Sequence, residues 1–314
     1  MAVRDGRFGS ISWFGKVLAT ALVILLMATW GGSFLAIKVA LRHLTPYELL
    51  LARFIPSALL MLPLLWLGRP SRGVWRSLSW SERAYVAGLA FFCVPAYHFC
   101  LNTGETMIPS SWAGLVIALN PAAIMLMAAA GLKETLTLRR ITGVGLAFAG
   151  LIFIALTHEA PGEAAAGFHL GRTLLGMTIT LGAVVSFGLF SVGSKKLLSK
   201  RPPADGLQIV TWVLILGTGW LLPGLRPGFF AKMAAAPGEL WLAIGFLATG
   251  CTVAGYVIWY WILGRWPASR AGAFIYLVPL CSLIFGHFGL GEPFNLETAI
   301  GAAGVLGGVI LAGR

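Results

Sequence analysis

The sequence predicts an all-α integral membrane protein, with ten transmembrane helices arranged as two five-helix repeats of inverted topology. Three observations carry that expectation. Of 314 residues, 58% are apolar and only 11% charged, whereas soluble domains carry about 25% charged residues. Pro109–Phe153 is written a second time, without a gap, at Pro267–Leu311. Basic residues, finally, alternate in abundance from one loop to the next.

A membrane-crossing helix needs roughly 20 mostly apolar residues. Stretches of that kind fall near 17–37, 46–67, 84–102, 109–132, 141–157, 171–193, 208–225, 240–263, 268–290 and 297–313. The two copies match at Pro109/Pro267, Gly114/Gly272, Pro121/Pro279, Glu134/Glu292, Gly143/Gly301 and Gly150/Gly308, among others. Each reads as an apolar segment broken by a proline, a Leu-x-Glu turn and a glycine-rich apolar segment. Five helices per repeat is an odd number, so the second repeat enters the membrane from the opposite side. Inverted repeats of this kind build carriers whose site lies between the halves. The expected organisation is a first repeat at 1–157, a linker at 158–170 and a second repeat at 171–314.

The net charge of +12 invites a nucleic-acid reading, but its distribution argues for membrane topology instead. Seventeen basic residues fall on the side of the N-terminus, against five (Lys38, Arg42, Arg172, Arg226 and Lys232) on the other. That bias places both termini in the cytoplasm. Reading Arg4–Lys16 and the apolar run after it as a cleaved signal would leave nine spans and spoil the alternation. Cys93, Cys100, Cys251 and Cys281 lie inside apolar segments without CxxC spacing, and read as packing residues.

Taken in order, the first segment places Trp30, Ser33, Phe34 and Ile37 at helical spacing on one face; a cavity wall and an aromatic belt are both open readings. The second opens at Pro46 and carries Arg53. An arginine at the centre of a span costs about 2.5–3.5 kcal/mol on insertion scales, so it is either a site residue or paired with a carboxylate such as Glu48 or Glu105. The basic, Trp-rich loop Gly68–Glu82 reads as an interface segment. In the third segment His98 and Asn102 share a face beside Pro95, which frees a backbone carbonyl; they face a cavity or are satisfied by a neighbouring helix.

The fourth segment brings Trp112 and Asn120-Pro121. The fifth, with Gly143, Gly145 and Gly150, has the small-residue face of a packing or dimer seam, echoed by Gly304 and Gly308 in the tenth; a monomer or weak dimer follows. No strand precedes these glycines, which excludes a phosphate loop. In the linker, His158-Glu159 lacks the second histidine of a zinc motif and His169 reads as solvent-exposed, so neither metal nor cofactor is expected. The second half repeats the layout, with Ser186, Phe190 and Lys195-Lys196 in the sixth segment and Gln208 and Trp212 in the seventh. The eighth, with Tyr256 and Tyr260 on one face beside Trp259, answers the third: Cys251 stands opposite Cys93. The ninth adds Phe274, Tyr276 and Pro279.

These residues carry a resemblance. Trp30-Gly-Gly-Ser-Phe, Pro46…Arg53-Phe54, Asn120-Pro and Lys133-Glu134 in the first half, with Leu247-Ala-Thr-Gly…Tyr256…Trp259, Ala268-Ser-Arg-Ala-Gly, Tyr276-Leu-Val-Pro and Gly289-Leu-Gly-Glu-Pro in the second, are similar to the motifs of EamA-type transporters of the drug/metabolite superfamily. Within that family the chain looks most like the YddG-type amino-acid exporters. The resemblance covers nearly the whole chain. It implies a ten-helix inner-membrane carrier, often an exporter of amino acids. Small multidrug relatives exchange protons through a glutamate in their first helix, and the first helix here has no acid. Only Arg53 lies clearly within a span, where sugar-phosphate relatives use several basic residues. A cavity of Trp, Tyr, Phe, His and Asn suits a zwitterionic or neutral solute.

The expected function is therefore export of amino acids or similar small metabolites by alternating access, with substrate held by Trp30, Phe34, Arg53, His98, Asn102, Trp112, Asn120, Tyr256, Tyr260 and Tyr276. Specificity is expected where the copies differ, at Trp112/Arg270, Ala118/Tyr276 and Asn120/Val278. Expected partners are a small-molecule substrate and the lipid bilayer, with no nucleic acid. The alternatives are a proton-coupled multidrug exporter and an intramembrane enzyme. No nucleophile–base pair or paired intramembrane carboxylate supports the enzyme, so none is expected.

Overall fold

The structure is a computed structural model that describes residues 13–67, 71–132, 137–157, 170–202, 205–265, 275 and 277–313. Phe274, Tyr276, Arg270, the linker histidines His158 and His169, and the Lys133-Glu134 turn lie outside the described residues. Helices account for nearly all of the rest, and no strand occurs among the described residues. Lipid offers backbone groups no hydrogen bonds, so a spanning segment must satisfy its own, as a helix does.

We number the principal helices α1 (Trp13–Ala40), α2 (Pro46–Met61), α3 (Trp80–Phe91), α4 (Tyr97–Glu105), α5 (Ser110–Ile117), α6 (Asn120–Leu132), α7 (Leu138–Thr157), α8 (Leu170–Leu198), α9 (Gly206–Gly219), α10 (Gly238–Gly245), α11 (Gly255–Arg265), α12 (Leu277–Leu290) and α13 (Leu296–Gly313). Six helical stretches are long and apolar enough to cross a membrane: Ala21–Ala40, Trp80–Glu105, Ser110–Ala130, Leu170–Leu198, Gly206–Gly224 and Gly238–Gly264. Ile141–Ile154, Leu277–Leu290 and Leu296–Gly308 are shorter apolar helices. Thr45 and Glu48 form a reciprocal capping box that starts α2, with Pro46 at its first position, where a missing N–H costs nothing. Large apolar side chains face outward, among them Leu242 at 78% and Phe288 at 82% exposure, as suits a surface bathed in lipid rather than water.

Two of the long helices contain a π-helical stretch. Phe92–Ala96 joins α3 to α4 and contains Pro95, which cannot donate to the helical ladder. Phe246–Ala254 joins α10 to α11 without a proline. There, three carbonyls are taken by side chains: Leu247 accepts from Thr252 Oγ1 at 2.8 Å, Ala248 from Ser57 Oγ at 3.2 Å, and Cys251 from Trp30 Nε1 at 3.0 Å. The two stretches end at Ala96 and Ala254, positions that correspond under the shift carrying Pro109 onto Pro267.

Further contacts recur under that same shift. A Cβ added to Gly150 on α7 would meet Gly301 O at 2.6 Å and Val305 N at 2.7 Å on α13; one added to Gly308 would meet Gly143 O at 2.5 Å and Ala147 N on α7. The shift turns each member of the first set into a member of the second. The two small-residue faces therefore close on each other within the chain. A related contact, one residue out of that register at its donor, is made by two lysines: Lys38 Nζ, at the end of α1, donates to Glu105 O at 2.6 Å and to Ile108 O at 3.0 Å, capping α4. Lys195 Nζ, at the end of α8, donates to Leu263 O at 2.9 Å near the end of α11. Leu263 is the counterpart of Glu105.

One tie joins the halves near the Lys38 end. The Glu292 carboxylate accepts from Ser110 N at 2.8 Å, Ser110 Oγ at 2.7 Å and Ser111 N at 3.0 Å, capping the start of α5.

The α7–α13 seam generates a prediction. Gly150→Leu and Gly308→Leu should each destabilise the detergent-solubilised protein by at least about 1–3 kcal/mol, since the added side chain meets backbone that cannot yield. Gly145→Leu, with no atom within 4 Å of its added Cβ, should leave the thermal unfolding midpoint unchanged.

Candidate functional site

The site lies where α1, α2, α4, α6, α8 and α11 converge. Its cavity is lined by Trp30, Ser33 and Phe34 of α1, Arg53 of α2, Tyr97, His98 and Leu101 of α4, Ile117 and Asn120, Phe187 of α8, Tyr256 of α11, and Ile275 and Val278. Trp30 is placed by its bond to Cys251 O, a carbonyl in the second π stretch. The ring of Trp30 lies 6.3 Å from Phe187 and 6.2 Å from Tyr256, while Tyr97 stands 5.5 Å from Phe187. These are aromatic-pair distances, and they frame a box of π faces.

Arg53 is 5% exposed. Its Nε donates to Thr252 Oγ1 at 2.7 Å, and one terminal nitrogen reaches His98 Nδ1 at 3.4 Å. Neither Glu48 nor Glu105 pairs with it: Glu48 binds Lys232 Nζ at 2.8 Å, and the carboxyl oxygens of Glu105 have no hydrogen-bond partner among the described residues. The carboxylate pairing that the sequence left open is therefore absent, for Thr252 and His98 occupy the guanidinium. Two bonds to a charged group are worth about 1.5–3 kcal/mol each, enough to offset the roughly 2.5–3.5 kcal/mol of placing arginine in a span. The remainder of the guanidinium fork is left at the cavity wall that Arg53 lines.

The arginine also fixes the state of its neighbour. Arginine only donates, so Nδ1 of His98 accepts, and Nε2 carries the proton and donates to Tyr256 Oη at 3.2 Å. His98 and Tyr256 are 158 residues apart, which is the repeat shift itself: the bond joins equivalent positions of the two copies. Asn120 brings the opposite kind of group. Its Oδ1 is buried with no hydrogen-bond partner among the described residues, an unused acceptor on the cavity wall.

Of the residues the sequence singled out, the structure brings Trp30, Phe34, Arg53, His98, Asn120 and Tyr256 to one cavity. Three lie off its wall. Asn102, one turn beyond His98, gives its Nδ2 to Pro46 O at 3.3 Å; Tyr260, one turn beyond Tyr256, shares a bond with Ser194 Oγ at 2.9 Å; Trp112 is buried in α5. Tyr97, Phe187 and Thr252 were missed. Tyr97 was legible as the neighbour of His98, whereas nothing in the run of small and apolar residues around Phe187 or Thr252 marks either.

The cavity measures about 40 Å³, room for a few waters at one per roughly 10–15 Å³. An all-helical chain with several apolar spans around a central polar–aromatic cavity is the build of a multi-pass membrane transporter. The chain belongs to the EamA-like transporter family, whose model matches it twice, at residues 17–156 and 174–314. That makes it a transporter and not an enzyme. An uncharacterized transporter of Archaeoglobus fulgidus is 30% identical, over 93% of this chain and 98% of its own. A protein of Streptantibioticus cattleyicolor named "probable terminal-alkyne amino-acid exporter" is also 30% identical, over 93% of this chain and 92% of its own. A "probable amino-acid metabolite efflux pump" of Salmonella typhimurium is 25% identical, over 92% and 93% respectively. A solved crystal structure shares the fold with a TM-score of 0.63 at 20% identity, covering 94% of this chain and 96% of that one.

The His98–Tyr256 bond is testable by a double-mutant cycle. His98→Phe and Tyr256→Phe should each lower stability to unfolding, and the double variant should fall short of their sum by about 0.5–1.5 kcal/mol, the net worth of a buried hydrogen bond.

Proposed function

We propose that this transporter exports amino acids or closely similar zwitterionic metabolites by alternating access, from a binding site in the Trp30–Arg53–Asn120–Tyr256 cavity. The observation that carries the reading is the pairing of two opposite, unspent groups in one aromatic box. The open part of the Arg53 fork suits a carboxylate, which it can grip bidentately; the orphaned Asn120 Oδ1 suits an ammonium group. Trp30, Tyr97, Phe187 and Tyr256 supply π faces for the ammonium or for an apolar side chain. The names of the relatives from Streptantibioticus and Salmonella support amino acids as the class.

Alternating access is supported by the size of the cavity, for about 40 Å³ does not hold an amino acid. The substrate requires a wider conformation than this one. The architecture we propose is ten spans in two inverted five-helix repeats, and the double match of the family model, the corresponding π stretches and the exchanged contacts of α7 and α13 support it. With the basic residues distributed as they are, the chain sits in the inner membrane with both termini cytoplasmic. It acts as a monomer or weak dimer, because its clearest small-residue seam is used internally, and it binds no nucleic acid.

Purified protein in liposomes should accelerate the flux of some members of an amino-acid panel above that of empty liposomes. If no member moves faster, this reading is lost. Arg53→Met should weaken the half-saturating concentration by about 10- to 100-fold, the loss of one charge-assisted pair at 1.5–3 kcal/mol. Asn120→Leu should discriminate differently, reducing transport of amino acids more than of their deaminated acids.

A further inference from the structure

A second polar site lies outside the central cavity. Glu105 closes α4, is 0% exposed, and neither of its carboxyl oxygens has a hydrogen-bond partner among the described residues. It borders a separate cavity of about 360 Å³ whose wall also includes Lys38, Arg42 and Glu292. The charged groups whose fields reach it are Lys38 on α1, Glu292 beyond α12 and Arg53 on α2. Each of these is occupied: Lys38 caps the carbonyls of Glu105 and Ile108, Glu292 caps α5, and Arg53 holds Thr252 and His98. A buried carboxyl with no donor in contact is a polar group still without the partner that burial calls for.

A purely structural role would tie Glu105 to the lysine cap it adjoins. The other half of the chain argues against that role: Lys195, the neighbour of Lys38's counterpart Lys196, donates to Leu263 O, with a leucine at the position that corresponds to the acid. The cap needs no carboxyl. The Glu105 side chain is thus an acid kept buried, unpartnered and beside a cavity large enough for water.

We propose that Glu105 is a proton-binding site that couples transport to a proton gradient. A proton from water in the Lys38–Arg42–Glu292 cavity binds one carboxylate oxygen of Glu105 and gives the neutral acid. In the conformation open to the opposite side, the same O–H bond breaks and the proton leaves to water there, while an amino acid moves the other way. No group is oxidised or reduced, and one proton crosses per cycle. This proposal rests on the carrier reading above and goes beyond it, naming the coupling ion and its residue.

The test uses the full chain in proteoliposomes, with radiolabelled leucine, phenylalanine and threonine as probes and an imposed pH gradient. Wild type should accumulate label against its gradient when protons run the other way. Glu105→Gln should keep exchange of label at equal pH but lose gradient-driven accumulation by tenfold or more, with Glu105→Asp restoring part of it. Glu105→Leu, the residue its counterpart carries, serves if the glutamine variant fails to fold. Accumulation that survives in these variants overturns the proposal. So does wild-type flux indifferent to the pH gradient, which leaves the carrier reading standing. If wild type moves none of the probes, pH-difference infrared spectra of the purified protein decide: a carboxylic-acid C=O band present in wild type and lost in Glu105→Gln supports the site, and its absence from wild type overturns it.

Discussion

Lipid supplies no hydrogen bonds, and that constraint organises this molecule from its backbone to its cavity. Where the second long helix departs from regular geometry, side chains take up the freed groups. The second π stretch leaves carbonyls at Leu247, Ala248 and Cys251, and Thr252, Ser57 and Trp30 donate to them. Two of those donors come from α1 and α2, so satisfying the interrupted backbone also docks these helices against α11. Trp30 and Arg53 reach the cavity because their helices are held there. The same interruption that costs helical regularity thereby positions the aromatic and cationic walls of the site.

Much of this was legible in the sequence, though unevenly. Composition and the long apolar runs announce helices in a membrane, and the repeat announces matched elements; the exchanged contacts of Gly143, Gly150, Gly301 and Gly308 realise that signal in packing. Helical spacing picked out the faces of α4 and α11 that carry the cavity-lining His98 and Tyr256. It does not report depth, however. Asn102 and Tyr260 share a face with His98 and Tyr256 but sit one turn, about 5.4 Å, further along. That distance takes them past the cavity to Pro46 O and Ser194. The second π stretch has no proline to signal it, and Thr252 is an unremarkable residue until the fold sets Arg53 against it. Such pairings are long-range, |i−j| of 199 for Arg53 and Thr252, and no local pattern encodes them.

The cavity and the Glu105 site occupy different depths along α4 and share its charge environment. His98 faces the centre from the first turn of that helix, and Glu105 ends it. Arg53 lines the centre and its field reaches Glu105. A carboxylate arriving beside Arg53 would screen its positive field and make a negative charge at Glu105 less favourable; its departure would do the reverse. One helix thus offers a physical link between occupancy of the centre and protonation at its end, through charge alone and without a chain of moving side chains.

The His98–Tyr256 bond has a consequence for the symmetry of the centre. When two copies of one sequence meet around a two-fold axis, a residue near that axis faces its own twin. Two identical histidines in register compete for one geometry, and neither is assigned to give or receive. In this chain the two corresponding positions carry an imidazole and a phenol. The hydrogen bond then has a fixed direction, set by Arg53 on one side only. That fixed direction gives the centre a polarity that two identical side chains could not supply.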